Sequence, residues 1–195
     1  MNPLIDFDPA THTYWVRGVV YPSVTTILKA RGAYAEYDTV DPAVLAAAGL
    51  RGDAVHGAIE DYVGSGEWPV DIDDEIAPYI DGFEYWLKHS GFEIDWSEKR
   101  TFSDRLQVAG TIDLGGRLRG RRSIVDVKTT RVLNLEAVGL QTAAYRLMEY
   151  EHEPGEIDRY ALHLKRTGKP AFKKLTNPLD EIRFVGLARA YHREV

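Results

Sequence analysis

Two runs decide how this chain is read: Gly110-Thr111-Ile112-Asp113-Leu114 and Ile124-Val125-Asp126-Val127-Lys128-Thr129. Aspartate is depleted in β-strands, so an Asp embedded in each of two apolar β-type runs calls for a reason. Between the runs, Arg119-Gly120 has the composition of a two-residue hairpin turn. If those residues form the turn, Leu118 pairs with Arg121, and counting five residues outward along both strands sets Asp113 opposite Asp126. Directly opposed side chains share a sheet face with Cβ atoms about 4.5–5.5 Å apart. Lys128 then stands on the face of Asp126, while Val125 and Val127 turn to the core. Two carboxylates about 5 Å apart repel by roughly 3 kcal/mol at an effective dielectric of about 20, a cost relieved by a cation or a shared proton. The ordinary alternative is a solvated hairpin face on which Lys128 neutralises Asp126, and Gly115-Gly116 offers a bulge that would slip the register.

Working outward, residues 4–20 read as a short hairpin, and Ser23 as the cap of a helix over about 24–29. Asp41-Pro42 has the N-cap and first-position proline pattern, predicting helices at about 41–48 and 50–64 with a break at Gly49. A longer helix is expected from about Asp74 to Ser90, burying Ile76, Tyr79, Ile80, Phe83, Trp86 and Leu87 at helical spacing. From Phe92 the pattern turns to β runs at 92–96, 99–103, 107–116 and 121–129. A helix at about 135–150, strands at 157–165 and 171–176, and a final helix from about 177 to 193 complete the chain. This order predicts an α/β domain, a small mixed sheet flanked by helices after a helical N-terminal segment. The helical part is expected over about 22–91 and the sheet core over about 92–195, as one domain.

The chain has 195 residues, 24 Lys+Arg, 30 Asp+Glu and no cysteine. Without thiols there is no disulfide, no thiolate zinc site, no Cys-ligated iron–sulfur cluster and no cysteine nucleophile, so any metal sits on oxygen or imidazole. Carboxylates with retained waters make a Mg²⁺ or Mn²⁺ site. No stretch approaches the roughly 20 apolar residues of a membrane span, and the first residues lack a basic flank and apolar core, so a cytoplasmic protein is expected. Charge is uneven: residues 1–98 carry 5 basic and 18 acidic side chains (net −13), and residues 99–195 carry 19 basic and 12 acidic (net +7). The second half is thus the one suited to a polyanion.

Two further pairs are spaced to act together on helices. His56 and Glu60 are i,i+4, as are Gln141 and Tyr145. Each pair alone has an ordinary reading as helix surface or packing. In this order, however, the pieces resemble the PD-(D/E)XK nuclease superfamily, and within it the RecB-like exonuclease branch. The resemblance rests on Gly52-x-x-x-His56, Gly110-x-Ile112-Asp113, Asp126-Val127-Lys128 and Gln141-x-x-x-Tyr145. The opening Phe7-Asp8-Pro9-Ala10-Thr11-His12-Thr13-Tyr14 and Pro22-Ser23-Val24-Thr25-Thr26-Ile27-Leu28 also look like phage and bacterial members of that branch. It covers most of the chain from Phe7 to Tyr145. Ile112 stands where the superfamily's label has proline.

The resemblance implies a restriction-endonuclease-like core and a divalent ion, Mg²⁺ or Mn²⁺, held by Asp113, Asp126, the backbone carbonyl of Val127 and His56, with Glu60 or Glu98 reaching it through water. Lys128 would orient the attacking water and stabilise the transition state, and Gln141 and Tyr145 would contact DNA or support the lysine. Arg117, Arg119, Arg121, Arg122, Arg131, Lys165 and Arg166 would hold phosphates without reading bases. The implied activity is hydrolysis of DNA phosphodiesters by an exonuclease of low sequence specificity, serving recombination, repair or phage DNA processing. A restriction-type or structure-specific endonuclease and a non-catalytic DNA-binding module remain open. The chain has no GxxxxGK[ST] loop, so a helicase motor or recombination partner would come from another chain. GxSxG and HExxH are absent too, which excludes the corresponding hydrolase and peptidase readings.

Overall fold

A five-stranded mixed sheet organises the structure, a computed structural model in which residues 4–35 and 39–194 are described. Its strands are β4 (Phe92–Ser103), β5 (Val108–Leu118), β6 (Arg121–Lys128), β7 (Asp158–His163) and β8 (Ala171–Lys174), in that spatial order. All neighbours are antiparallel except β6 and β7. A parallel pair needs a long crossover, and helix α4 (Leu135–His152) supplies it. Before this sheet come β1 (Ile5–Asp8), β2 (Thr13–Val16), β3 (Val19–Tyr21), and helices α1 (Val24–Ala30), α2 (Pro42–Ser65) and α3 (Ala77–Ser90); α5 (Asp180–Glu194) closes the described chain.

The sheet is covered on both faces, as its apolar strands require. On one side α2 and α3 bring Val55, Ile59, Ile80, Phe83 and Trp86 against Leu114, Val125, Val127 and Leu162. On the other, α1, α4 and α5 bring Ile27, Leu28, Ala144, Met148 and Phe184 against Val108, Ile112 and Ile124. Helix α4 is therefore buried over most of its length. The fully buried Arg159 ties it to α5, donating to the Gly139 carbonyl at 2.7 Å and to Asp180 Oδ2 at 3.2 Å. Gly139 is needed there, because a Cβ would lie 2.9 Å from that carboxylate oxygen.

The α/β architecture matches the sequence reading, and several boundaries change. Residues 4–21 form a three-stranded meander rather than one hairpin, seated on the main sheet through Tyr14, Val16, Phe102 and Ala109. The expected break at Gly49 is absent: α2 is continuous for 24 residues. A glycine costs a helix only about 1 kcal/mol relative to alanine, and Ala46, Ala47 and Ala48 precede it. The two runs 92–96 and 99–103 are one strand, bulged between Ile94 and Trp96. Arg119 (φ 52°) and Gly120 (φ 77°) form the hairpin turn with Leu118 opposite Arg121, the left-handed pair that suits a two-residue turn. Gly115 and Gly116 do not slip the β5–β6 register. They admit β4 instead, since a Cβ at either position would come within 2.0 Å of the Trp96 ring or the Glu93 carbonyl.

Candidate metal centre and active site

The β5–β6 ladder keeps its register from Leu118↔Arg121 to Leu114↔Val125 and stops there, one step short of the two aspartates. Beyond that point the Asp113 carboxylate takes the place of a ladder carbonyl, with Oδ2 accepting the Val127 N–H at 2.6 Å. Asp113 and Asp126 are therefore neighbours at a strand parting rather than a bonded cross-strand pair. On the other side of β5, Ser97↔Leu114 and Lys99↔Ile112 set Glu98 beside Asp113. Glu98 has φ 45°, a left-handed backbone uncommon for a residue other than glycine and frequent where structure is held for function.

Helix α2 completes the group. Val55, Ala58 and Ile59 anchor it to the sheet core, and that orientation carries His56 to the parting of the strands. His56 Nδ1 lies 3.1 Å from Glu98 Oε1 and 3.8 Å from Asp113 Oδ1, and Nε2 lies 3.2 Å from the Val127 carbonyl. Ligand atoms of His56, Glu98 and Asp113 all fall within 4.8 Å of one another. Both close neighbours of the imidazole are acceptors, so it donates at both nitrogens. Burial works against that charge, but Asp113 and Glu98 outweigh it and raise the His56 pKa to about 9.

Asp126 stands beside this group, not in it. Its side chain is 1 % exposed and Oδ2 lies 2.7 Å from Lys128 Nζ. The Lys128 ammonium thus pairs with Oδ2, and Oδ1 is buried without a hydrogen-bond partner. Burial first, then the Asp113 charge, raises its pKa to about 6 against the opposing pull of Lys128. Asp113 is shifted upward too, chiefly by burial. Lys128 is held protonated, since Asp126 and Asp113 override the cost of its burial.

Behind the carboxylates, Gln141 Nε2 donates to the Tyr145 hydroxyl at 3.0 Å, and the Tyr34 hydroxyl donates to Gln141 Oε1 at 3.4 Å. Burial, then the charges of Asp113 and Asp126, push the Tyr145 pKa well above its usual value. The glycine of Gly110-x-Ile112-Asp113 makes room for that ring, because a Cβ there would meet Tyr145 Cε1 at 2.8 Å. Tyr34 gave no signal in the sequence: its partner is 107 residues away. The same holds for Tyr14, whose hydroxyl bonds Thr111 Oγ1 at 2.9 Å across 97 residues.

An open cleft of about 450 Å³ leads to the group, lined by Gly52, Asp53, His56, Glu60, Glu98 and Lys128 among others. Glu60 is exposed on its wall, one helical turn from His56 and outside the three-residue group. The basic residues divide. Arg117, Arg119, Arg121 and Arg122 lie at the hairpin end, four to six residues and hence roughly 13–20 Å along the strands from the aspartates. Three of them face carboxylates: Arg117 with Asp95, Arg121 with Asp158, Arg122 with Glu153. Arg131, Lys165 and Arg166 are exposed and follow the ends of β6 and β7, the end that carries Lys128. Of the tryptophans, Trp86 is in the core, Trp68 stacks on Tyr62 and Trp96 covers Gly115.

The donor set fits a hard divalent ion. Ligand atoms of His56, Glu98 and Asp113 lie within 4.8 Å of one another, and all but the imidazole nitrogen are oxygens. Asp126 Oδ1, buried and without a partner while Oδ2 meets Lys128, is what a cation would satisfy. A proton on His56 fills part of that role in the metal-free chain.

No protein-family profile matches the chain, and no curated protein matches it in sequence. Among solved structures, one provisionally described as an exonuclease from Eubacterium rectale superposes with a TM-score of 0.52 at 10 % identity, over 74 % of this chain and 65 % of that one. The chain thus spans about two thirds of that protein's length. Another, SSO0001, aligns over 73 % of both chains at 17 % identity with a TM-score of 0.39, a superposition too loose to support an argument. The first match shows a shared α/β fold. No helix among the described residues is long and apolar enough to cross a membrane.

Proposed function

We propose that the chain is a divalent-metal-dependent nuclease that hydrolyses DNA phosphodiesters, with Asp113, Asp126, His56 and the Val127 carbonyl as metal ligands and Glu98 as a fourth side chain of the centre. The observation that carries this reading is the buried Asp126 carboxylate, met by Lys128 at Oδ2 and without a partner at Oδ1, set beside His56, Glu98 and Asp113 at the end of an open cleft. An anion serving structure alone would have both oxygens hydrogen-bonded. When bound, the ion supplies positive charge to the scissile phosphate and a more acidic water.

The chain's own residues do the rest. Lys128, protonated and partly exposed to the cleft, donates to a phosphate oxygen and steadies the attacking water as the P–O bond to the leaving oxygen breaks. Without the ion, Glu98 and the Val127 carbonyl hold the ring of His56 from both nitrogens, and to ligate, the ring would give up the proton on one of them. Tyr34, Gln141 and Tyr145 form the wall that holds the carboxylates in place. Arg131, Lys165 and Arg166 are placed to hold the strand by its phosphates, which carries no base information.

Exonucleolytic action is the preferred form of the reading. It is supported by α2 walling one side of the centre and α4 the other, and by the likeness in fold to a protein provisionally described as an exonuclease. Its setting would be DNA recombination, repair or phage DNA processing. Incubating end-labelled linear and covalently closed DNA with and without Mg²⁺ tests it. Metal-dependent loss of linear DNA with closed circles intact supports an exonuclease; cutting of closed circles supports an endonuclease.

A further inference from the structure

Along the β4–β5 pair from the metal centre lies a second, unassigned feature. Two residues from Glu98 on β4 is Arg100, and two residues from Asp113 on β5 is Thr111; the two are cross-strand partners. Each step of two residues is about 7 Å. Arg100 lies over the Phe7 ring at 5.4 Å, and among the described residues no carboxylate pairs with it. Thr111 bonds the Tyr14 hydroxyl. Phe7 and Tyr14 pack at 4.5 Å, and the ring of His12 stands perpendicular to both, at 5.3 and 5.7 Å. His12 is exposed and held at φ 51° by the β1–β2 turn.

His12 lines a cleft of about 480 Å³, separate from the metal cleft, with Thr11, Thr13, Ser23, Thr26 and Gln107. That volume suits a small ligand, and the lining hydroxyls and amide suit the edge of a nucleobase. An exposed aromatic ring with an arginine one ring away that pairs with no carboxylate suits a single strand: the ring stacks a base and the cation holds a phosphate.

We propose that an unpaired nucleotide of the strand being cut sits here, its base entering the second cleft against His12 and its phosphate held outside that cleft by Arg100, across the Phe7 ring, so that the substrate entering the metal centre is single-stranded. This rests on the nuclease reading and adds the substrate form. A base locked in a duplex cannot present its face to His12, so a double-stranded end must fray before it is cut.

Fluorescence anisotropy with Ca²⁺ in place of Mg²⁺, using a labelled ten-thymidine strand and an equally long abasic sugar–phosphate strand, tests it. The wild type is expected to bind the thymidine strand about tenfold more tightly than the abasic one. His12→Asn keeps a residue that tolerates the left-handed backbone while removing the ring. It should lose that tenfold on the thymidine strand and nothing on the abasic strand. Arg100→Gln should weaken both probes alike. The proposal is overturned if His12→Asn binds thymidine as tightly as wild type, or weakens both probes equally. A wild-type protein that neither binds nor cuts DNA would end the nuclease reading along with it, whereas a working nuclease whose His12→Asn variant is unchanged ends the subsite alone.

Discussion

Replacing Asp126 with asparagine should destroy cleavage and at the same time make the metal-free protein more stable. Asp126 is almost fully buried, and its pKa stands at about 6 in the folded chain against 3.8 for the ordinary side chain. A folded-state pKa above the unfolded one means that ionising this acid opposes folding. The penalty is absent below about pH 3.8, grows between there and about pH 6, and is complete above. A displacement of about two units corresponds to roughly 3 kcal/mol. Asparagine abolishes the charge but brings an amide that must find its own partners, so about 1–3 kcal/mol should be gained. For a chain of this size that raises Tm by several degrees. Thermal unfolding followed by circular dichroism in EDTA at pH 7.5 reads it directly, and the gap should close near pH 4. Mg²⁺ should raise the wild-type Tm more than that of the variant. An Asp126→Asn protein that melts at or below the wild type in EDTA at pH 7.5 would show that the carboxylate is a structural anion paired with Lys128, and its reading as a metal ligand would fail.

Three other expectations follow from single contacts. His56→Ala should raise the Mg²⁺ concentration needed for half-maximal cleavage more than it lowers the rate at saturation, as read from a Mg²⁺ titration; an unchanged requirement removes His56 from the ligands. Gly110→Ala should cost about 1–3 kcal/mol, because its methyl carbon would stand 2.8 Å from Tyr145 Cε1, and urea unfolding that shows no loss would refute the packing argument. Asp158, held at a pKa of about 2 chiefly by its hydrogen bond from Arg121 and then by Lys174, stabilises the fold above about pH 4 and loses that effect as pH falls toward 2. Its partners are largely exposed, so Asp158→Asn should cost no more than about 1 kcal/mol at pH 7, with a difference from wild type that vanishes at pH 2.

Local chemistry made the strand pair legible. A turn as short as Arg119-Gly120 leaves one register open, and the structure adopts it as far as Leu114↔Val125. What the sequence could not show is that the ladder ends there, because the Asp113 side chain takes the Val127 N–H that a ladder carbonyl would have accepted. Glu98 is similar. Its acidity was visible, but nothing in a single sequence says that a glutamate inside a strand takes φ 45° and turns toward His56. Tyr14 and Tyr34 reach the site from about 100 residues away in sequence, and composition carries no record of such contacts. The arginines read from the turn as phosphate contacts sit at the far end of the strands, where charge clustering alone could not place them. The continuous α2 shows the reverse limit: one glycine among alanines weakens a helix without ending it.

The central claim is that Asp113, Asp126 and Lys128 form a metal-dependent phosphodiesterase centre. It is tested most directly by quantifying nucleotide release from end-labelled linear DNA by the purified wild type and by Asp126→Asn, each with Mg²⁺ and with EDTA. Release by the wild type in Mg²⁺ alone, with none from Asp126→Asn under any condition, is the expected result. Equal release by both proteins, or release by the wild type that persists in EDTA, would contradict the claim.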